Sequence, residues 1–283
     1  MPAIPFVLTI RCPDRIGIVA AVTTLIASLE GNITESAQFG DPKTKTHFMR
    51  IAFDAPVVDE ARFGEIFSPI AERFGMTWEL HDTRRRPRVM ILVSKMDHCL
   101  VDLLYRWRQD TLKMDITSIT SNHEMAARHA EQHGLPFNYL PVTKQTKLEQ
   151  ETALVRLIKE EQVDLIVLAR YMQVLSDGLS AKLSDKCINI HHSFLPSFKG
   201  AAPYSQAHDR GVKLIGATGH YVTSDLDEGP IIEQETERVD HAMSVDQFVA
   251  IGREIEARVL ARAVKFHLER RVLLNGNKTV VFR

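Results

Sequence analysis

The chain has 283 residues, of which 45% are hydrophobic and 25% charged, a composition typical of folded globular proteins rather than disordered or fibrous ones. Its 35 basic and 36 acidic residues nearly cancel, so we expect no broad positive surface for nucleic acid or an anionic membrane. No stretch approaches the ~20 apolar residues of a membrane span, and the first residues lack a signal-peptide pattern, so we expect a cytoplasmic protein. The cysteines, Cys12, Cys99 and Cys187, are widely spaced and are expected to be buried and reduced.

Residues 1–83 alternate between strand and helix patterns in the order βαββαβ. The predicted strands are residues 6–12, 33–39, 46–53 and 76–81, and the predicted helices are 16–29 and a second one that begins at Asp59. This order is typical of a ferredoxin-like sandwich, in which two helices cover an antiparallel sheet. The charged run at residues 84–87 ends in proline and is interpreted as an interdomain linker.

Residues 88–283 follow a different pattern, in which apolar strands alternate with amphipathic helices. The main segments are strands at 89–94, 164–170, 187–192, 213–222 and 230–239, helices at 99–107 and 147–161, a long helix opened by Ser244 and Gln247, and a hairpin around Asn275 and Gly276. In helix 147–161, the predicted apolar face consists of Leu148, Leu154, Val155 and Ile158. We therefore expect an α/β domain with a doubly wound, mostly parallel, Rossmann-like sheet that binds ligands at the carboxyl ends of its strands.

Three polar residues in this second domain form a candidate catalytic set. Asn189 and His191 are two positions apart on a strand and so point to the same face, and Asp227 lies in a turn-like segment. An amide donor, an imidazole and a carboxylate are sufficient for attack on a carbonyl group, since they can hold an oxyanion and relay a proton. Without other information, a buried asparagine and histidine at a strand end are more often structural hydrogen-bonding residues than catalytic ones.

The sequence around these residues is similar to a known family. Asn-Ile-His-His-Ser-Phe-Leu-Pro-Ser-Phe-Lys-Gly at 189–200 and Asp-Leu-Asp-Glu-Gly-Pro-Ile-Ile at 225–232 resemble the formyltransferases that use 10-formyltetrahydrofolate. The resemblance covers residues 88–283 and implies that Asn189, His191 and Asp227 are catalytic. It also implies that residues around the end of the 164–170 strand contact the folate and that lysines around the start of the 147–161 helix contact its glutamate tail. The candidate contacts are Arg170, Tyr171, Met172 and Val174, together with Lys144 and Lys147.

Two features separate members of this family. Pro-Asp-Arg-Ile-Gly-Ile-Val at 13–19 resembles the ACT domain, which implies an amino-acid effector near Asp14, Arg15 and Gly17 and pairing of chains into a homo-oligomer. Residues 94–99 occupy the position of a glycine-rich phosphate loop but contain no glycine, which makes a nucleotide substrate a poor fit. The near-neutral chain also argues against an RNA-binding member. The combination resembles the formyltetrahydrofolate deformylase family.

This resemblance implies hydrolysis of 10-formyltetrahydrofolate to formate and tetrahydrofolate, which would supply formate for purine biosynthesis and balance one-carbon pools. Asp227 would deprotonate or position the water, His191 would stabilise the oxyanion and pass a proton to the leaving nitrogen, and Asn189 would donate to the oxyanion. No metal or cofactor is expected, because His191, His192, His208 and His220 lack a zinc-binding spacing. The alternatives are transfer of the formyl group to an unidentified amine, or a catalytically silent folate or amino-acid sensor.

Overall fold

The structure is a computed structural model that describes residues 3–56, 60–195 and 203–283. The chain forms two compact units that are not contiguous in sequence. Unit one comprises Met1–Arg86, Glu269–Asn275 and Thr279–Arg283, and unit two comprises Pro87–Leu268 and Gly276–Lys278. The sequence placed all of residues 88–283 in the second domain, whereas most of the last 15 residues group with the first unit.

Unit one begins with the predicted βαββαβ order. Its elements are β1 (Ile4–Pro13), α1 (Ile18–Ser28), β2 (Asn32–Asp41), β3 (Thr46–Ala55), α2 (Glu60–Phe74) and β4 (Thr77–Asp82). The sheet order is β2-β3-β1-β4, and each neighbouring pair is antiparallel. Leu8 and Ile51 on the sheet pack with Ile26 of α1 and Phe67 of α2 in one buried core. The predicted start of the second helix, Asp59, lies outside the described residues.

The other face of this sheet is covered by the C-terminal hairpin, β12 (Val272–Asn275) and β13 (Lys278–Val281). Phe48 of β3 alternates with the core residues of that strand and packs instead against Leu273 and Phe282. The guanidinium of Arg50, two residues further along β3, is buried, ion-paired with Glu35 at 3.0 Å and hydrogen-bonded to the backbone oxygen of Glu269 at 3.1 Å. The segment from Glu269 to Phe282, which contains the hairpin, therefore supplies both apolar contacts and a partner for a buried charge.

Unit two contains the predicted parallel sheet. Its strands are β5 (Arg88–Val93), β6 (Asp115–Ser121), β7 (Phe137–Tyr139), β8 (Leu165–Leu168), β9 (Cys187–His191), β10 (Leu214–Tyr221) and β11 (Ile231–Arg238). The helices are α3 (His98–Arg108), α4 (Ala127–His133), α5 (Lys147–Glu160), α6 (Asp177–Lys182), α7 (Pro203–Asp209) and α8 (Val245–Leu268). The sheet order is β11-β10-β9-β8-β5-β6-β7. The pairs from β9 to β7 are parallel, and β10 is antiparallel to both of its neighbours.

Two local sequence predictions have different outcomes in this unit. At the start of α8, the amide of Ser244 donates to Gln247 and the amide of Gln247 donates back to the Ser244 hydroxyl, which confirms the predicted capping pair. The predicted apolar face of α5 is partly wrong, because Leu154 is buried but Leu148 and Val155 are exposed. The buried face of α5 instead includes Gln150 and Glu151, whose side chains form hydrogen bonds with Tyr171 and Ser176.

No helix in the described ranges is long and apolar enough to cross a membrane. Cys12, Cys99 and Cys187 are all buried and free, as the sequence predicts.

Candidate active site

The site is built at the carboxyl end of β9. Asn189 and His191 alternate with core residues of this strand and share one face of it, as predicted. The antiparallel neighbour β10 places His220 directly opposite Asn189. The side-chain nitrogen Nδ2 of Asn189 lies 3.2 Å from Nε2 of His220. Adjacent strands therefore bring an amide and two imidazoles together.

Asp227 completes this group from the loop after β10. Its Oδ2 lies 3.2 Å from Nδ1 of His191, and its Oδ1 lies 3.7 Å from Nε2 of His220. Asp227 has a left-handed backbone, with φ of 58°, which Asp tolerates better than most residues. Two positions later, Gly229 packs so closely on β10 that a Cβ atom there would lie 1.7 Å from the backbone oxygen of Tyr221. Glycine at 229 thus allows the loop to hold Asp227 beside both histidines.

The sequence patterns assign no role to His220, and the structure brings this residue into the candidate site. Its Nδ1 donates to the backbone oxygen of Tyr221 at 2.9 Å, so Nε2 accepts from the amide of Asn189. The two contacts fix the orientation of the Asn189 amide. The strand register that pairs residues 189 and 220 would have identified this residue, but register is not visible in the sequence.

The electrostatics of the site favour an ionised Asp227. Burial opposes ionisation of its carboxyl group, but the hydrogen bond from His191 and the nearby His220 ring outweigh burial and hold its pKa well below the usual range. Next to this group, burial lowers the pKa of His192 to about 4, with Arg170 and His191 adding to the effect. The site therefore combines a fixed negative charge with a neutral imidazole at 192 at neutral pH.

The residues after His191 are held by Thr218 of β10. The Thr218 hydroxyl donates to the backbone oxygen of Ser193 and accepts from the amide of Leu195. Gln234 on β11 donates to the same hydroxyl and to the backbone oxygen of Leu195. The rest of the motif, residues 196–200, lies outside the described residues, as do residues 201 and 202.

The candidate folate segment after β8 is divided by the structure into two pairs. The side chains of Met172 and Val174 are exposed, with 55% and 56% of their surface accessible, and so can contact an apolar ligand. The Tyr171 hydroxyl instead accepts from Gln150 in the core. The guanidinium of Arg170 is buried and faces a carboxylate of α8.

The two candidate lysines lie before and at the start of α5. Lys144 is exposed, and Lys147 faces Glu151 at 4.0 Å. Lys144 is therefore the freer of the two to meet an anionic group.

A second polar group, which we call the Glu256 cluster, consists of His98, Arg170, Tyr204 and Glu256. Nε2 of His98 donates to Glu256 at 2.8 Å, the Tyr204 hydroxyl donates to it at 2.6 Å, and Nε of Arg170 lies 3.3 Å from it. Burial opposes ionisation of Glu256, but the hydrogen bond from His98 and the charge of Arg170 outweigh burial and lower its pKa. No local sequence pattern identifies Glu256, since a glutamate on a long helix is usually exposed.

One group within the described residues has metal-binding side chains close together. The ligand atoms of His98, Cys99 and Glu256 lie within 4.8 Å of one another. Arg170 already neutralises Glu256, and burial raises the pKa of the Cys99 thiol well above its usual value. These residues fit an internally paired carboxylate better than a bound cation.

The predicted effector residues lie together on unit one. Asp14, Arg15 and Gly17 line an open cavity of about 700 Å³ at the start of α1, together with Gln38 and His47. Gly17 has a φ of 95°, which favours glycine, and caps α1. Nδ1 of His47 lies 3.7 Å from Asp14. The cavity offers a carboxylate, a guanidinium and a helix N-terminus within one pocket.

Comparison with known proteins agrees with this architecture. The formyl transferase family model matches residues 87–264, and the ACT domain model matches residues 6–73. A formyltetrahydrofolate deformylase from Corynebacterium sp. strain P-1 is 47% identical over 280 residues, which cover 98% of both chains. The chain belongs to the formyltetrahydrofolate deformylase family.

Solved structures separate this deformylase family from related transferases. A formyltetrahydrofolate deformylase from Burkholderia mallei has a TM-score of 0.94 and 53% identity, covering 99% of this chain and 100% of its own. A glycinamide ribonucleotide transformylase from Symbiobacterium toebii has a TM-score of 0.65 and 25% identity, covering 70% of this chain and 95% of its own. The deformylase family thus matches both units, as the sequence predicts, whereas the transformylase matches a smaller part.

Proposed function

We propose that the protein hydrolyses 10-formyltetrahydrofolate to formate and tetrahydrofolate, with Asn189, His191 and Asp227 as the catalytic residues. One observation carries the assignment of residues. Nδ1 of His191 lies 3.2 Å from the Asp227 carboxylate, while its Nε2 is buried and has no hydrogen-bond partner among the described residues. A buried imidazole nitrogen without a partner is costly unless a ligand uses it. Membership of the deformylase family supports the same reaction.

The geometry gives each residue a role. The ionised Asp227 can only accept, so Nδ1 of His191 carries a proton; for His191 to act as a base, the lone pair must lie on Nε2. Nε2 takes a proton from water as its oxygen attacks the formyl carbon. One N–H of the Asn189 amide faces His220, which leaves the other to donate to the oxyanion. When the C–N bond breaks, the His191 imidazolium returns the proton to the folate nitrogen.

Of the two roles considered for Asp227, this arrangement favours positioning over deprotonation of water. The low pKa of the carboxyl group makes it a weak base but a strong partner for an imidazolium. The exposed Met172 and Val174 are proposed to contact the pteridine, and Lys144 the glutamate tail.

The test is to incubate the purified protein with 10-formyltetrahydrofolate in buffer alone and to measure formate and tetrahydrofolate. We expect equal release of both products without an added amine, and loss of release in folded Asp227→Ala. Release only in the presence of an amine would instead identify a transferase, and no reaction under either condition would favour a silent sensor.

We further propose that the reaction needs no metal or other cofactor. Dialysis against a strong chelator is expected to leave kcat within about twofold of its original value, because Asn189 and His191 supply the charge stabilisation that a Lewis acid would provide. Formate release before and after dialysis gives the comparison. Loss of turnover that is restored by a divalent cation would contradict this proposal.

In unit one, we propose that the cavity at Asp14, Arg15 and Gly17 binds a free amino acid. Asp14 would receive the ammonium group, and Arg15 and the backbone amides at the start of α1 would receive the carboxylate. Glycine is our first candidate, since it is small and related to one-carbon metabolism. The ACT resemblance also supports a homo-oligomer, and the buried free cysteines support a reducing compartment such as the cytoplasm. There the released formate would serve purine biosynthesis.

Binding of glycine to this cavity is expected to raise Tm by about 2–4 °C at saturation, as any ligand specific for the folded state does. Asp14→Asn should abolish the shift, whereas Glu72→Gln, an exposed acid on α2, should preserve it. Thermal denaturation with each common amino acid measures both effects. If no amino acid or mixture changes Tm or kcat, the domain is a pairing element rather than an effector site.

A further inference from the structure

A formyl transferase and a formyl hydrolase differ in the acceptor of the formyl group, which is an amine in the first and water in the second. The space beside the catalytic histidine therefore determines which acceptor can react. In this chain, the ring of His192 lies 5.0 Å from that of His191, and the ring of Tyr204 lies 6.5 Å from that of His192. His192 is also close enough to Arg170, Glu256 and Asp227 for all three to affect its pKa. The Glu256 cluster therefore adjoins the catalytic group through His192.

Both oxygens of the Glu256 carboxylate have partners within the chain. Oε2 of Glu256 accepts a hydrogen bond from His98 and forms an ion pair with Arg170. Oε1 accepts a hydrogen bond from the Tyr204 hydroxyl. The carboxylate side chain is only 1% exposed. An amine substrate would need an acceptor for its N–H groups, and each oxygen of this carboxylate already has one or more described partners. The carboxylate next to the reaction site is thus unavailable to a second substrate.

Side chains from two segments pack around Glu256 and Arg170. Met96 and His98 come from the glycine-free segment 94–99, where Met96 contacts Nη2 of Arg170 through its sulfur at 3.3 Å. Tyr204 packs on Gly252 of α8, where a Cβ atom would lie 2.1 Å from the tyrosine ring. The absence of a side chain at Gly252 thus leaves room for the Tyr204 ring beside Glu256. Met96 and His98 contact Arg170 and Glu256 from segment 94–99.

We propose that the Glu256 cluster determines the acceptor, by occupying with Tyr204 and His98 the space that a small primary amine would need beside His191. This inference rests on the proposed hydrolysis and explains why water is the acceptor. If the cluster is opened, an amine nitrogen can attack the formyl carbon, the bond from that carbon to the folate nitrogen breaks, and that nitrogen takes the proton from the amine. The products are then an N-formyl amine and tetrahydrofolate, with no change in oxidation state.

The experiment compares wild type, Tyr204→Ala and His98→Ala in the presence of increasing glycinamide, a small primary amine. N-formylglycinamide and formate are measured by mass spectrometry, with the reaction without enzyme subtracted. We expect wild type to yield formate alone. In at least one opened variant, the ratio of N-formylglycinamide to formate should rise with amine concentration to at least tenfold above wild type. Tyr204→Phe keeps the ring but frees Oε1 of Glu256, so its ratio should lie between those of wild type and Tyr204→Ala. His241→Ala removes an exposed histidine of the same unit and should behave as wild type.

Circular dichroism and Tm verify that each variant is folded, and His98→Ala provides the answer if Tyr204→Ala is not. Formate release without transfer in the folded variants would overturn the proposal and leave hydrolysis intact. Loss of both reactions in the folded variants would also overturn it, because the cluster would then be part of hydrolysis itself. Failure of wild type to release formate would instead refute the proposed function.

Discussion

His191→Ala is expected to lower kcat for formate release by about 10²–10⁴, the usual contribution of a positioned general acid and base. The imidazole at 191 is the group placed both to take a proton from water and to return one to the folate nitrogen. Asp227, which lies 3.2 Å from Nδ1 of His191 in the wild type, remains in the variant. A carboxylate with a low pKa cannot replace the imidazole as the base. KM should change little, because the folate contacts proposed at Met172 and Val174 are retained.

A matched control is His241→Ala, which removes an exposed histidine of the same unit and should leave kcat unchanged. Asn189→Ala is expected to lower kcat by about 10²–10³. In the variant that combines His191→Ala with Asn189→Ala, kcat should fall by less than the product of the two single effects, since both residues act on one transition state. Steady-state kinetics of folded variants test this. A kcat for His191→Ala within tenfold of wild type would remove this residue from the mechanism.

Gly229→Ala is expected to lower kcat by about 10² or more, although residue 229 is not proposed to touch the substrate. A methyl group there would meet the backbone oxygen of Tyr221 at 1.7 Å, so the loop must move away from β10. Asp227 lies two positions earlier and would move with it. A displacement of about 1 Å in a catalytic group can lower the rate by about 10²-fold. Overpacking typically lowers the free energy of unfolding by about 1–3 kcal/mol, and we expect a loss in this range for Gly229→Ala.

Gly178→Ala is the corresponding control, because a Cβ atom at 178 meets nothing within 4 Å. It should leave both kcat and Tm unchanged or raise Tm slightly, since alanine favours helix α6. The two variants are compared by kcat and by thermal denaturation. A Gly229→Ala protein with wild-type kcat and Tm would show that the loop can adapt without moving Asp227.

Much of the fold follows from local patterns. The strand patterns at 6–12 and 46–53 and the capping pair Ser244 and Gln247 identified their elements, because each depends on residues near one another in sequence. The pairing of Asn189 with His191 was predictable for the same reason, since alternation on a strand has a fixed period. Short helices such as α6 were missed because a single turn carries little periodicity.

The candidate site was only partly predictable. Register places His220 against Asn189, and the fold brings Arg170 to Glu256 from a different element, so neither contact has a local signal. The resemblance assigned Arg170 to the folate, whereas its buried guanidinium faces α8. Long-range contacts of this kind depend on the tertiary structure rather than on residue spacing.

The C-terminal hairpin has a consequence for how the chain is made. Phe48 and Arg50 emerge from the ribosome early, but their partners Leu273, Phe282 and Glu269 are among the last residues translated. At 5–20 residues per second, roughly 10 to 50 s of synthesis separate the two. During that interval, the nascent first unit exposes an aromatic side chain and an incompletely paired arginine. Newly made chains should therefore depend on chaperones until the terminal strands are released.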